Sequence, residues 1–410
     1  MSNMKKICMV LLTFVVLFGL PARVMAMNEW TVVVYMVNDD KDTTLENANF
    51  KNLGYLKSYD PGENHTLLVQ LDGMSTGSSD EQKLNYKGGS RLRIEKGKYI
   101  DEGTLGEVNM GSPQTLWDCL KWAQEKYPAE HYALVINSHG SGVFTWWGEG
   151  SVSSSEPGKV VFNPDRKAGR FVAYDHTDKD ALTIFEVAEV LKVFSQRYKN
   201  GGKFDLVAFD ACMPGSVEVL YQLRDSCDFM VGSAETTPIT GFNYDAMARF
   251  MSRNSTFSPE NFAANIAESL NSSFIGAWKT AQASQLVFAV NQLAMQLLNA
   301  MEETSKGFGL KNQSAFGKGT NYWDLYKVGE AFYRENSELN GAGNGAVIKQ
   351  MGKELMDAVD AAKVTRTGAI SITWPEKADY QKYHKFYKAL DISRDSKWDD
   401  MLDRRELGVK

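Results

Sequence analysis

After its first 26 residues, the 410-residue sequence has no apolar run long enough to span a bilayer. It also lacks a disulfide framework. Of its four cysteines, Cys8 falls in the opening segment, which leaves Cys119, Cys212 and Cys227. An odd number in an exported chain leaves at least one thiol without an intrachain bridge. There is no basic stripe: lysines and arginines are scattered among acids and the formal net charge is −6, which argues against nucleic acid as the main partner. His65, His131, His176 and His384 show no metal-ligand spacing, and no tight His/Cys/acid cluster of the kind a zinc hydrolase needs is present. No internal repeat or low-complexity tract stands out.

What remains is an ordinary globular composition, 43% apolar and 23% charged. The first 26 residues read as a secretory signal. Lys5 and Lys6 precede an apolar run from Ile7 to Leu20, Pro21 breaks it, and Val24-Met25-Ala26 offers a cleavage site. No cysteine ends the run, so no lipid attachment is expected. The mature chain is predicted to lie in a periplasm or outside the cell, with no stable membrane anchor.

Trp30–Asn38 is a near-continuous β-branched apolar run, the mark of a strand buried on both faces of a parallel sheet. Thr66–Leu71, Tyr132–Asn137 and Phe204–Phe209 repeat the pattern, and Asp228–Ser233 adds another strand. Helical patterns lie between them. One passes through Leu45, Ala48, Leu53 and Leu56. A second starts at Ser112-Pro113, with Ser at the cap and Pro at the first helical position, and runs to about Lys126. A third is opened by a Thr183/Glu186 capping box and reaches about Tyr198. A short one lies near Ser216–Arg224. Residues 84–100 alternate around Gly88-Gly89, which predicts an antiparallel hairpin at the sheet's edge. The alternation as a whole predicts an α/β fold with a mostly parallel central sheet flanked by helices. From about Ser258 to Lys363 the pattern is helices alone, clearest at Val287–Met301 and Ala346–Ala362. Ala369–Trp374 then reads as a strand that rejoins the main sheet.

In an open parallel sheet, the loops leaving the carboxyl ends of the strands build the active site. Ser138-His139-Gly140 and Asp210-Ala211-Cys212 sit at such ends on successive long strands. Neighbouring strands lie about 4.8 Å apart, so the two tips can converge. An imidazole beside a thiol shifts its proton and gives usable thiolate at neutral pH. Gly140 has no side chain to block a carbonyl, and its N–H can face a developing oxyanion together with that of Cys212. Each half also has a purely structural reading, since a strand-end cysteine is usually a small buried hydrophobe. Both together, in order, in an exported chain with an odd thiol, favour a Cys–His pair. Around it lie weaker signals. Trp146-Trp147 either walls a cleft or packs. Residues 148–172 read as a polar loop. Asp175, Asp178 and Asp180 precede a helix and favour its dipole, with a cation site as the alternative.

Val135–Gly140 and Leu206–Cys212 resemble the His-Gly and Asp-Ala-Cys motifs of the clostripain family and of the wider caspase–gingipain–legumain group of cysteine peptidases. The likeness extends to Gly232–Glu235, Gly241–Tyr244, Ser371–Pro375 and Trp398–Leu402. It implies a caspase-like fold and an endopeptidase acting on protein or peptide substrates after Arg or Lys, with His139 and Cys212 as the dyad. It places Asp210, Glu235 and Ser233 in the substrate pocket. A second pocket acid is implied near Thr240, where this sequence has none between Glu235 and Asp245. Activation by cleavage between the motifs is implied as well, with Lys159, Arg166, Lys167 and Arg170 as candidate self-cleavage sites. No cofactor is required by the resemblance. Calcium is left open, because calcium dependence occurs in clostripain, with Asp175, Asp178 and Asp180 as weak candidates. A monomer is expected. The organisation is then a signal peptide over 1–26, a catalytic domain over 27–257, a helical insertion over 258–365, and a C-terminal strand and helix over 366–410 returning to the catalytic domain. Two other classes remain open: a Cys-dependent acyl transferase or amidase on the same scaffold, and a non-enzymatic exported binding module.

Overall fold

The structure, a computed structural model, describes residues 27–39, 44–62, 64–73, 88–143, 172–304, 316, 321–334 and 343–408. The signal segment, Trp146-Trp147, and Lys159, Arg166, Lys167 and Arg170 lie outside the described residues. The chain opens with β1 (Asn28–Val37), α1 (Thr44–Leu56), β2 (His65–Asp72), β3 (Gly89–Glu95), β4 (Lys98–Gly106) and α2 (Pro113–Lys126). It continues through β5 (Ala129–Asn137), β6 (Ala173–Asp175), β7 (Asp180–Leu182), α3 (Ile184–Tyr198), β8 (Phe204–Asp210), α4 (Val217–Gln222) and β9 (Cys227–Ser233). Then come α5 (Tyr244–Arg253), α6 (Pro259–Glu268), β10 (Ile275–Lys279), α7 (Ala283–Thr304), β11 (Tyr322–Asp324), α8 (Leu325–Arg334) and α9 (Gly345–Ala362). The last elements are β12 (Ser371–Thr373), α10 (Lys377–Tyr387), α11 (Asp391–Asp395) and α12 (Trp398–Leu407).

Eight strands form the main sheet in the order β10-β9-β8-β5-β1-β2-β3-β4. The inner five, from β9 to β2, run parallel, and β10, β3 and β4 are added antiparallel at the two edges. Successive side chains of a strand face opposite ways, and β1 shows what this does. Val33, Tyr35 and Val37 pack with α2, α3 and α7 residues on one face, while Val32, Val34 and Met36 pack with α1, α5 and α6 residues on the other. Both faces are therefore dry, which is why the parallel strands read as unbroken apolar runs. The helix starts follow their local chemistry. Ser112 caps α2 with Pro at the first turn, and the Thr183/Glu186 capping box opens α3 with both of its reciprocal bonds present.

Three expectations need correction. The edge hairpin exists, but it turns at Lys96-Gly97 rather than at Gly88-Gly89, with Glu95 opposite Lys98. Gly97, at φ 75°, takes a left-handed conformation at the second turn position, which glycine adopts without steric cost. Residues 258–363 are not helices alone, because they contain β10, which pairs with β9, and β11. Ala369–Trp374 does not rejoin the main sheet as a strand, because β10 already occupies the free edge of β9. Instead β12 pairs with β11 and touches the nucleophile side of the molecule through a bridge from Ser371 to Ser216.

A buried carboxylate ties this last segment down. Glu218 of α4 accepts the Thr373 amide at 2.8 Å and the Tyr387 hydroxyl at 3.0 Å, while the Trp398 indole N–H donates to the Thr373 carbonyl at 3.0 Å. The helices after β10 share one apolar cluster with the sheet face that carries α2 and α3. The central strands should accordingly dominate stability. Leu134 in β5 has no exposure, so Leu134→Ala is expected to cost about 2–5 kcal/mol in urea denaturation. A loss within experimental error would remove β5 from the core.

Candidate active site

The pairing of β5 with β8 runs in register from Ala133 opposite Leu206 to Asn137 opposite Asp210. The Ser138 amide then donates to the Asp210 carbonyl at 3.2 Å, so the pairing outlasts both strands. His139 and Cys212 each lie two residues beyond the last pair of this register. The contact between the loops is direct. A Cβ placed on Gly140 would lie 2.5 Å from the Cys212 carbonyl oxygen and 2.9 Å from Ala211 Cβ. Only glycine allows that approach. Among the described residues, neither the Gly140 nor the Cys212 amide has a hydrogen-bond acceptor, so both donors are open to a ligand.

Cys212 is half-buried, and its thiol faces the loop after β9. The Thr237 amide points at Sγ from 3.4 Å, and the Thr237 hydroxyl donates to the Ala211 carbonyl at 2.7 Å. Burial pushes the Cys212 thiol above its usual range, partly opposed by the Thr237 amide and reinforced by Asp210 and Glu235. Met213, the next residue, stands at φ 69°, a left-handed conformation unusual for its side chain, and its amide is held by the Glu235 carbonyl at 3.1 Å. The other two cysteines differ. Cys119 and Cys227 are fully buried and free, and burial raises both thiols, Cys119 to about 12. They are packing residues.

Asp210 lies beneath the site, 3% exposed. Its Oδ2 accepts Asn137 Nδ2 at 2.6 Å and the Tyr244 hydroxyl at 2.8 Å, while Oδ1 is buried without a hydrogen bond. It does not cap the following helix, whose N-cap is Ser216. Burial holds its carboxyl above the usual range, against the pull of the Phe242 amide, Tyr244 and Asn137. Gly241 covers it so closely that a Cβ there would lie 2.2 Å from Oδ2. Glu235 is half-buried, with Oε1 turned back to the Thr236 amide at 3.0 Å. Ser233 is wholly buried and accepts the Glu235 amide at 3.3 Å, so it shapes the turn rather than lining an open pocket.

Asp175, Asp178 and Asp180 belong to the small β6–β7 hairpin, not to a helix start. Asp175 accepts the Met110 and Asp178 amides at 2.8 and 2.9 Å, and Asp180 accepts Asn109 Nδ2 and the Ala181 amide, both at 2.8 Å. Their oxygens are largely engaged in turn formation, which weakens them as a metal-ligand set. The hairpin also reaches the reactive loop. The Tyr174 amide donates to Ser138 Oγ at 3.0 Å, and the His176 ring lies edge-on to the His139 ring at 6.1 Å.

The profile of the clostripain family, peptidase C11, matches residues 34–404. The chain belongs to the clostripain family. Clostripain of Hathewaya histolytica is 26% identical over 238 residues, which is 52% of this chain and 41% of clostripain, so the match spans less than half of that relative. Two solved structures share the fold. A secreted C11 cysteine protease from Bacteroides thetaiotaomicron, in complex with an irreversible peptide inhibitor, has a TM-score of 0.58 at 18% identity, covering 91% of this chain and all of that one. An inactive zymogen C11 protease from Parabacteroides distasonis has a TM-score of 0.60 at 17% identity, covering 90% and 98%.

Residues that the sequence reading did not single out also enter the site: Thr237 at Sγ, Tyr244 on Asp210, and His176 against His139. The first and last sit in short irregular turns with no periodic signal. Tyr244 stood in a stretch already likened to the family, but nothing local marked its hydroxyl. Two outcomes test the geometry. Gly140→Ala should slow alkylation of Cys212 by a peptidyl acyloxymethyl ketone about a hundredfold, because a displacement near 1 Å at the reacting atoms is costly. Alkylation of the free protein by iodoacetamide should keep rising well into the alkaline range, since burial raises the Cys212 thiol above its usual range. A plateau at neutral pH would show instead a resting thiolate.

Proposed function

We propose that this member of the clostripain family is a secreted cysteine endopeptidase in which Cys212 is the nucleophile and His139 the general base. The observation that carries the reading is the β5–β8 register, extended through Ser138 and closed by the Gly140–Cys212 contact. The Cys212 sulfur attacks the scissile carbonyl as His139 takes its proton. The Gly140 and Cys212 amides receive the oxyanion. His139 then protonates the leaving amine, and water hydrolyses the thioester by the reverse proton path. The raised resting thiol fits proton transfer within the attack, with the Thr237 amide holding Sγ as charge develops.

Asp210 supports cleavage after Arg or Lys. A buried carboxylate oxygen without a donor costs stability, and a guanidinium or ammonium from substrate would supply that donor. The amino-terminal signal supports export. The basic residues Lys159, Arg166, Lys167 and Arg170, between the two motifs, are the proposed self-cleavage points, a reading favoured by the zymogen described for the Parabacteroides relative.

Cys212→Ala and His139→Ala should each lower kcat on a peptide substrate more than about a thousandfold while the fold persists. Near-normal turnover in either variant would end the dyad. Asp210→Asn should lower kcat/KM after Arg and Lys about a hundredfold, with little loss on other residues. In the parent, kcat/KM after Arg should rise with pH through a limb lying above the ordinary carboxylate range, because burial raises the Asp210 carboxyl; the asparagine variant should lose that limb. Intact-mass analysis of wild type beside Cys212→Ala checks the self-cut. Two chains are expected from the first and one from the second; identical single chains would refute it.

A further inference from the structure

The loop that carries His139 ends against a side chain of β11. Gly142, three residues past His139, is buried at φ 61°. A side chain has no room there. A Cβ on Gly142 would lie 2.8 Å from Tyr322 Cζ and 3.0 Å from Met213 Cβ, and closer still to Tyr322 Oη. The Tyr322 phenol therefore abuts the backbone of the His139 loop where that loop meets Met213, the residue after the nucleophile. Tyr322 is 3% exposed and belongs to the same apolar cluster as Val143, the next residue of the loop.

The short ribbon of β11 and β12 also holds the other reactive loop. Tyr322 pairs with Thr373 across the ribbon. Two residues earlier on β12, the Ser371 amide donates to the Gly215 carbonyl at 2.9 Å, and the Gly215 amide donates to the Ser233 carbonyl at 2.8 Å. Glu218 of α4 fixes Thr373, and the Trp374 amide donates to the Asn321 carbonyl at 2.9 Å. β11 thus bears on the loop after β5, and β12 on the loop after β8. The sheet pairing stops at Asn137 and Asp210, so the path of each loop beyond that point needs contacts of its own. The ribbon supplies one to each. Close-packed contacts transmit small displacements, so a shift of the Tyr322 ring would move His139 relative to Cys212.

We propose that Tyr322 is a positioning residue: its phenol, carried on the β11–β12 ribbon, wedges against Gly142 beside Met213 and sets the path of the His139 loop relative to the Cys212 loop. The contact stands independently of the peptidase reading; its effect on turnover rests on that reading.

The contact is tested in mature protein carrying Cys212→Ala, so that no turnover is needed. Gly142→Ala is made with Tyr322 and with Tyr322→Phe, and the melting temperatures form a double-mutant cycle. The strain of a side chain at positive φ is common to both backgrounds. The added methyl should lower Tm clearly less in the phenylalanine background, where the hydroxyl it meets is gone; equal losses overturn the contact. Positioning is tested in protein with Cys212 intact, each variant assayed well below its Tm. Tyr322→Leu should lower kcat about a hundredfold with KM little changed, because a displacement near 1 Å at the reacting atoms is costly. Trp323→Ala is the control for general weakening, since neighbouring side chains on a strand face opposite ways and Trp323 packs on Trp374 at 5.6 Å. It should keep kcat within about twofold. Unchanged kcat in Tyr322→Leu, or an equal loss in Trp323→Ala, overturns the positioning role. Should Tyr322→Leu fail to fold, the kcat of Gly142→Ala decides: adding Tyr322→Phe should recover it about tenfold, and no recovery overturns the role. A parent without Cys212-dependent turnover would end the peptidase reading and the effect on kcat with it, while the melting cycle would still decide the contact.

Discussion

The structure depends most on the pairing of β5 with β8. Both strands are buried on both faces, and each side chain is assigned to one of two apolar layers. A slip of one residue would exchange the layers along the whole strand, so core packing resists it with many contacts at once. The same register fixes which residues of the two following loops stand side by side. The approach of the loops that carry His139 and Cys212, seen in the Gly140–Cys212 contact, thus follows from hydrophobic burial well below the site. The loops themselves add little stabilisation of their own, and the strained backbone at Met213 persists because the strands beneath over-determine it.

This dependence explains what could be read from sequence. Parallel strands buried on both faces leave long β-branched runs, and capped helices leave a Ser-Pro start or a capping box, so β1, β2, β5, β8, α2 and α3 were legible with small boundary errors. The convergence of the two motifs followed from strand order alone. Position in the sheet was legible for strands joined by short crossovers and illegible for the last ones. Whether Ala369–Trp374 or Ile275–Lys279 took the free edge of β9 was settled by tertiary packing, and a run as short as β10 carries no periodic signature. The β6–β7 hairpin was missed for a related reason. Its strands have three residues each, and its acids bond turn amides in a way that composition cannot separate from a helix start.

Asp210, Asp39 and Asp72 share a property that only the folded chain reveals. Each lies at or just past the carboxyl end of a parallel strand, and each keeps one buried oxygen without a hydrogen-bond donor. A carboxylate in that state disfavours folding, since its lost hydration is not replaced. Burial raises Asp72 to about 8, with Glu107, Asp175 and Asp39 adding to the effect, and Asp175 to about 7. Among the described residues, these acids at the carboxyl edge of the sheet are only partly satisfied. Their pattern is not that of a structural ion-pair network like the one on the opposite edge, where Asp205 is matched by His131 and Lys199 and held below the usual carboxylate range, although burial alone would raise it.

The contrast between the two edges lies in how their acids are satisfied. At the amino edge, acid and base are both supplied by the chain, so the charge is satisfied before any ligand arrives. At the carboxyl edge, no described residue donates a hydrogen bond to Oδ1 of Asp39, Oδ2 of Asp72 or Oδ1 of Asp210. A cationic group that reached those oxygens would offset part of the cost of burying them.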